Sequence, residues 1–320
     1  MDKEALALLG PALESYLAEF SDVGIAPTRK LIAAYVRGQL GPLLRKSVMP
    51  MAREAGIAPR TLQELLSLHR WDEDLLVDTL QRHVWRTQGA GDSVATILET
   101  WCPKKGRRTP GVELQRFGSS GRTRNCVLLM HLGFAGGDFH CILDNAIYLP
   151  KTWADSPERR GAARITDTVK YRTRGQIALD LLDRAAANGL RFTWVTFGVD
   201  YSGDAAFLKE LDARGYRYVA PRPTPKDGER PFGNPGPWAT NAESGLPQEA
   251  VLRVAKAGDE SAHAFDQRRR EIGLDHFEVR TYQSLLRHLA LSAASVLFLE
   301  ERVRRAGARK DRQPVKSRAL

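Results

Sequence analysis

The spacing of the hydrophobic residues changes near residue 90 of this 320-residue chain. Before that point apolar residues recur at helical intervals, as in residues 4–19 and 28–40, and two further helices are predicted over 43–55 and 72–86. After it, short β-branched and apolar runs are bounded by Gly-rich turns. Helices and strands need different side-chain periods, so we expect a helical N-terminal domain at 1–90 and a separate domain at 91–300.

The order of elements in the second part predicts its fold class. A set of strand-like runs comes first, and helices and strands then alternate: strands at 94–100, 112–118, 126–135 and 139–149, a helix at 174–187, a strand at 191–198, a helix at 203–214 and a strand at 216–221. A meander followed by alternating helices and strands is the order of a ribonuclease H-like core. The predicted class is therefore α/β: a mixed sheet with flanking helices behind an all-α N-terminal domain.

The last third of the chain contains three further predicted segments. Residues 222–248 are dense in Pro and Gly and are predicted to form a long irregular loop. Helices are expected over 249–271, with a break near Gly258, and over 281–305. The region 301–320 is strongly basic and is predicted to be a flexible tail.

The charge of the chain indicates the class of its partner. Lys and Arg total 48 against 38 Asp and Glu, which gives a formal net charge of +10. Such an excess favours polyanions through counterion release, so nucleic acid is the leading candidate. Double-stranded DNA is the partner that we expect. The basic residues expected to contact DNA are grouped along the chain: Lys104, Lys105, Arg107, Arg108, Arg122, Arg124, Arg172, Arg174, Arg268, Arg269 and Arg270.

A possible base-reading element lies in the N-terminal part. The "GIAP" turn between two predicted helices is typical of a helix-turn-helix, whose second helix starts near Pro59. That helix would offer Arg60, Thr61 and Gln63 to DNA. An ordinary helical bundle is the competing interpretation, because helix pairs joined through Gly are common.

Cysteine and hydropathy patterns argue against two other classes of protein. The three cysteines have no CxxC spacing, and His131 and His140 match no zinc pattern, so neither a disulfide scaffold nor a metal centre is predicted. The most apolar late stretch, at 289–299, is too short to span a bilayer. We therefore expect a cytoplasmic protein with no membrane association.

Four phrases of the sequence, taken in order, resemble the DDE transposases of bacterial insertion sequences, the DDE superfamily endonuclease family. They are "KKG" at 104–106, "YLPKTWADSPERR" at 148–160, "WVTFGVDYSGD" at 194–204 and "EIGLDHFEVR" at 271–280. The resemblance implies a ribonuclease H-like core in which two Asp and one Glu hold two divalent metal ions for DNA strand cleavage. It also implies a bacterial protein that associates with the nucleoid when it is bound to DNA.

The family's acidic positions carry other residues here. Counting from the matching phrases, the first Asp falls at Leu98, the second at Gly198, and the Glu at Ala262 or His263. Neutral residues at all three places cannot offset the charge of two metal ions. The prediction is a catalytically inactive, repurposed DNA-binding protein that requires no cofactor and serves in DNA targeting or transcriptional regulation.

Two alternatives stay open at this stage. Glu99, Asp200 and Asp266 lie within a few residues of the vacant positions, so an active transposase with displaced acids and Mg²⁺ is one. The other is a protein-interaction adaptor that uses the former catalytic face. A homodimer and a complex with a partner protein are further expectations.

Overall fold

The computed structural model describes residues 10–89, 91–117, 122–222, 237–242 and 247–311. Within the first of these ranges the chain folds into helices joined by short turns: α1 (Gly10–Ala18), α2 (Ala26–Leu40), α3 (Val48–Glu54), α4 (Pro59–Ser67) and α5 (Glu73–Gln88). The helices α3 and α4 flank the "GIAP" turn, as the sequence predicts. Pro59 occupies the first turn of α4, where its missing N–H costs no hydrogen bond.

The third helix begins five residues later than the predicted start at 43. The preceding loop is held in a non-helical path by contacts distant in sequence. The backbone N–H of Lys46 donates to Nδ1 of His276 at 3.0 Å, and the Lys46 ammonium donates to the carbonyl oxygens of Gln39 and Glu271. Such tertiary bonds have no signature in the local hydrophobic spacing.

The second part of the chain forms a mixed sheet with helices on both sides. Its elements are β1 (Val94–Pro103), β2 (Glu113–Phe117), β3 (Arg122–Gly136), β4 (Phe139–Ile147), α6 (Lys151–Ala154), α7 (Pro157–Ala163), α8 (Arg174–Ala187), β5 (Trp194–Phe197), α9 (Val199–Ser202), α10 (Ala205–Ala213), β6 (Tyr218–Pro221), β7 (Trp238–Thr240), α11 (Gln248–Ile272), a 3₁₀ turn (Leu274–His276) and α12 (Tyr282–Asp311).

The strand order confirms the predicted fold class. The order along the sheet is β2-β3-β1-β5-β6-β7, and β4 also pairs with β3. Strands β1, β3 and β4 form an antiparallel meander, whereas β5 and β6 continue the sheet parallel to β1. This is a ribonuclease H-like core, to which β2 and β7 are added.

Two predictions around the sheet are wrong. The segment predicted as a loop contains the strand β7, in which Ala239 pairs with Ala220 at the free edge of β6. Helix α11 continues without a break through Gly258. A Cβ atom at this position would lie 2.9 Å from Cγ2 of Thr196, so glycine serves here as a close contact between helix and sheet.

The N-terminal helices and the sheet share one hydrophobic core. A single cluster of buried residues runs from Leu13 in α1 through Leu129 in β3 to Phe298 in α12. Helix α12 is the element that joins the two parts, because it packs against β4 as well as against α2, α4 and α5. The Tyr35 hydroxyl and His288 Nδ1, 2.8 Å apart, add a buried hydrogen bond between α2 and α12.

The predicted flexible tail at 301–320 is in part helical. Helix α12 extends through Asp311, and the buried carboxylate of Glu301 lies 2.6 Å from Nε2 of His83 in α5. This contact anchors the beginning of the segment to the core; residues 312–320 lie outside the described part of the chain. Every helix in the described ranges is too short or too polar to cross a membrane.

Candidate functional site

A cavity of about 330 Å³ opens beside the middle of β1, at the carboxyl end of β5. These two strands are parallel neighbours, with Ile97 opposite Phe197, and β1 extends beyond the end of β5. The strands that follow β1 lie on one side of this pair, and β6 lies on the other. A crevice at such a reversal of strand order is the usual ligand site of an α/β sheet.

The positions that the sequence resemblance predicts for the family's acids meet in this cavity. Leu98 from β1, Gly198 from the end of β5 and Ala262 from α11 all line it. His263, the alternative to Ala262, is exposed on α11 and is not part of the lining. The structure therefore brings the three sequence positions to one place, although they are about a hundred and sixty residues apart at the extremes.

Helix α11 covers one face of the sheet at this point. Thr96 pairs with Thr196, and Gly258 of α11 lies against Thr196. Leu98, two residues after Thr96, points to the same face. Glu99 must then point to the opposite face, where α8 and α9 lie, as strand alternation predicts.

The carboxylate of Glu99 is engaged by two neighbours. The Tyr201 hydroxyl donates to it at 2.6 Å, and Nη1 of Arg174 lies 3.2 Å from each of its oxygens. The same guanidinium nitrogen lies 3.4 Å from Asp200. Arg174 is held at the start of α8 by a capping box formed by Thr173 and Gln176.

The protonation states at this cluster follow from burial and charge. Burial, and then the nearby Glu99 carboxylate, raise the pKa of Tyr201, so its phenol stays protonated and donates. Burial acts to lower the pKa of Arg174, but Glu99 and Asp200 outweigh it and the pKa is raised. One guanidinium cation thus bridges two of the three carboxylates that line the cavity.

These residues do not fit a pair of divalent cations. Metal ions need carboxylate oxygens that are free to bind, and each pair of ions requires several of them. Glu99 is already bonded to a hydroxyl and a guanidinium, and the fixed positive charge of Arg174 repels further cations. In the described residues no group of three or more His, Cys, Asp or Glu side chains is arranged to hold a metal ion.

The third displaced acid proposed from the sequence lies elsewhere. Asp266 does not line the cavity, and its carboxylate pairs with Arg269 and Arg270 on its own helix. The lining instead includes Asp259, whose side chain is exposed. Asp259 precedes Ala262 by three residues, so helical spacing places it on the same face of α11, and this spacing could have identified it.

Behind the cavity, a histidine is buried in a polar network. Nδ1 of His131 lies 2.6 Å from Asn145 Oδ1, and Nε2 lies 3.0 Å from the Thr100 hydroxyl. The ring of Phe265 covers it at 4.6 Å, and burial lowers the pKa of His131 to about 4. His131 is therefore a neutral residue that aligns β1, β3 and β4.

The predicted DNA-contacting residues separate into two groups. Several of them form ion pairs with acids of the same chain: Arg172 with Asp180, Arg174 with Glu99, Arg268 with Glu271 and Glu300, and Arg269 and Arg270 with Asp266. The others, apart from Lys104 and Arg122, are exposed without a carboxylate within 4.0 Å in the described residues: Lys105, Arg107, Arg108 and Arg124. The Arg122 side chain lies outside the described portion.

Lys104 belongs to neither group. Its ammonium points into the protein, where it donates to the carbonyl oxygens of Asp275 and Phe277 at 2.8 and 2.9 Å. It also lies 3.3 Å from the centroid of the Phe277 ring, and burial lowers its pKa to about 8. The first lysine of "KKG" thus has internal partners, and the second one faces outward.

On α4, the three predicted residues differ in exposure. Arg60 is exposed and pairs with Glu64 one turn later at 2.8 Å. Gln63 is exposed, and Thr61 is half-buried. Contact of any of them with DNA stays a prediction.

Comparison with sequence models of protein families identifies the family of this chain. The model described as DDE superfamily endonuclease matches residues 20–273, well over half of the chain. The chain belongs to the DDE superfamily endonuclease family. Membership in this DDE family implies an interaction with DNA and accounts for the ribonuclease H-like core. A comparison with curated proteins finds no match.

Proposed function

We propose that this DDE-family protein binds double-stranded DNA and does not cleave it. The observation that supports this most directly is the cavity beside β1 and the end of β5, where Leu98, Gly198 and Ala262 occupy the positions that the sequence resemblance predicts for the family's acids. Two of the three carboxylates that line the cavity, those of Glu99 and Asp200, are bridged by Arg174. Binding without cleavage would suit DNA targeting or transcriptional regulation in the bacterial cytoplasm.

The physical reason is electrostatic. Two divalent cations carry four positive charges within a few ångströms, and metal-dependent phosphoryl transfer needs carboxylates to hold them there. The three conventional positions supply none, and Arg174 adds a positive charge. The cationic surface can still bind DNA, because contacts between Lys or Arg and phosphate need no metal ion.

The binding half of the proposal is tested by titrating a labelled duplex with the full chain at several salt concentrations. We expect the affinity to fall steeply as salt rises, because each phosphate contact contributes about −0.9 to the slope of log K against log salt. An adaptor protein with incidental charge would show little binding near physiological salt. That result would contradict the proposal.

The second half is tested with supercoiled DNA and linear DNA in the presence of Mg²⁺ or Mn²⁺. We expect no nicking above the background of a mock-purified sample. Nicking that requires the metal and disappears in Glu99→Gln and in Asp200→Asn would identify an active enzyme with displaced acids. Asp266→Asn is the matched control, since Asp266 lies outside the cavity.

A further inference from the structure

A second, larger cavity of about 900 Å³ lies between the β1–β2 loop and the segment that follows α11. One wall is residues 103–109, and the opposite wall is residues 275–280. Arg45, from the loop before α3, closes one end. We name this feature the basic cleft.

The basic cleft is dominated by positive charge. Six cationic residues line it, against the two carboxylates of Asp275 and Glu278: Arg45, Lys104, Lys105, Arg107, Arg108 and Arg280. Arg45 pairs with Glu278, and Lys104 is turned inward. The other four are exposed and, within the described part of the chain, have no carboxylate within 4.0 Å.

Two inward-pointing lysines hold the walls of the cleft in place. Lys104 ties the β1–β2 loop to the backbone of Asp275 and Phe277, and Lys46 ties the loop before α3 to the end of α11. Gly273 lets the chain turn between these contacts, because its φ of 65° is unfavourable for other residues. The exposed cations therefore project from backbone segments whose positions are fixed, so less conformational entropy is lost on binding.

The same wall also borders α4. A neighbouring cavity of about 440 Å³ is lined by Gln63 and Ser67 of α4 and shares residues 277–280 with the basic cleft. The predicted base-reading helix and the "KKG" loop therefore lie on one continuous side of the molecule. They are separated only by this short segment.

We propose that the basic cleft binds the sugar-phosphate backbone of duplex DNA while the exposed face of α4 around Gln63 enters the adjacent groove. This inference rests on the proposed function and specifies its surface. Phosphates fix register through Lys and Arg, and a helix beside them reads base edges. Arg107, Arg108, Lys105 and Arg280 supply the first contact, and Gln63 is placed for the second.

The smaller cavity beside β1 and β5 is less suited to binding DNA than the basic cleft. No Lys or Arg lines it among the described residues, whereas Glu99, Asp200 and Asp259 do. Its carboxylates repel phosphate groups. The DNA-binding surface is therefore distinct from the position of the former metal site.

The test compares two double charge reversals of equal size in the full chain. Arg107→Glu with Arg108→Glu changes the cleft, and Lys30→Glu with Lys209→Glu changes two exposed lysines on α2 and α10 that line neither cavity. Binding of a labelled duplex is measured by fluorescence anisotropy from 50 to 300 mM salt. Circular dichroism and the thermal midpoint establish that both variants fold.

We expect the cleft reversal to weaken binding by at least about tenfold at 150 mM salt and to reduce the salt slope by about 2, one unit for each lost phosphate contact. The control reversal should change affinity by less than about threefold, through net charge alone. A milder variant, Arg280→Gln, should reduce the slope by about 1. Gln63→Ala should leave the slope unchanged and reduce discrimination between duplex sequences.

The outcomes separate this inference from the proposed function. If the wild-type chain binds no duplex, the proposed function fails. If the wild type binds and both reversals weaken it equally, DNA binding stands and the cleft as its surface is overturned. Tighter binding of duplex RNA than of duplex DNA of the same sequence would also overturn it.

Discussion

Arg174 contacts two of the acids that line the cavity beside β1 and β5, Glu99 and Asp200. The guanidinium bridges Glu99 and Asp200 at 3.2 and 3.4 Å, and the Tyr201 hydroxyl completes the environment of Glu99. A cation built into the protein therefore satisfies carboxylates that would otherwise attract an ion from solution. Arg174 thereby offsets the negative charge of the acids on the α8 face of the sheet.

Replacing Arg174 by Met should destabilise the protein. Glu99 would keep its largely buried carboxylate without a cationic partner, and we expect a loss of about 1–3 kcal/mol, less than for a fully buried pair since Arg174 is partly exposed. The measurement is the free energy of unfolding in urea. The double variant Arg174→Met with Glu99→Gln should recover part of the loss, and an additive loss would contradict the pairing.

At the scale of elements, local signals determine where helices and strands form and tertiary contacts adjust their ends. Helix α8 spans Arg174–Ala187 as predicted, because the Thr173 capping box starts it. Helix α11 runs through Gly258, where a break was expected, because the glycine meets the sheet at Thr196. A glycine in a helix lowers helix propensity, but here the close packing of α11 on the sheet keeps the helix continuous.

Substitution at this contact should separate packing from propensity. Gly258→Ala places a methyl group 2.9 Å from Cγ2 of Thr196, and we expect a net loss of about 1–3 kcal/mol despite the better helix propensity of Ala. Gly161→Ala in α7 is the matched control, because its Cβ would meet nothing within 4 Å. That change should be neutral or stabilising by up to about 1 kcal/mol. Equal effects of the two substitutions in urea unfolding would refute the close-contact argument.

For the whole molecule, contacts far apart in sequence join the helical part to the sheet. His83 of α5 lies 2.6 Å from Glu19, after α1, and 2.6 Å from Glu301 of α12. The hydrogen bond to Glu301 is the main cause that raises the pKa of His83; burial opposes it, and Glu19 adds to it. The imidazole between two carboxylates thus links α5 and α12 with the turn after α1.

This link predicts a pH dependence of stability with a definite sign. The folded-state pKa of His83 is above its unfolded value near 6.5, so its contribution is complete below pH 6.5 and is lost as pH rises through the folded pKa. The difference in unfolding free energy between wild type and His83→Gln should therefore be largest near pH 6 and shrink toward pH 9. A difference that grows with rising pH would show that the imidazole is neutral in the folded protein.

Much of the fold and part of the site were predictable from the residues alone. Hydrophobic period indicates helix or strand within a few residues, which was sufficient for the ribonuclease H-like order. Leu98 and Gly198, which were counted from phrases that resemble the family, both line the cavity. The choice between Ala262 and His263 needed the rotation of α11 against the sheet. Without that rotation, Asp259, which lines the cavity, was overlooked, and Asp266, which does not line it, was chosen.

The sequence by itself determined the types of elements, their order, the family and the excess of positive charge, because these depend on local spacing and composition. Only the tertiary structure decided that Lys104 points inward while Lys105 faces the basic cleft, that Arg174 neutralises Glu99, and that α4 and the "KKG" loop share one side. The direction of a charged side chain depends on the partners that folding brings within a few ångströms, and those partners lie tens to hundreds of residues away.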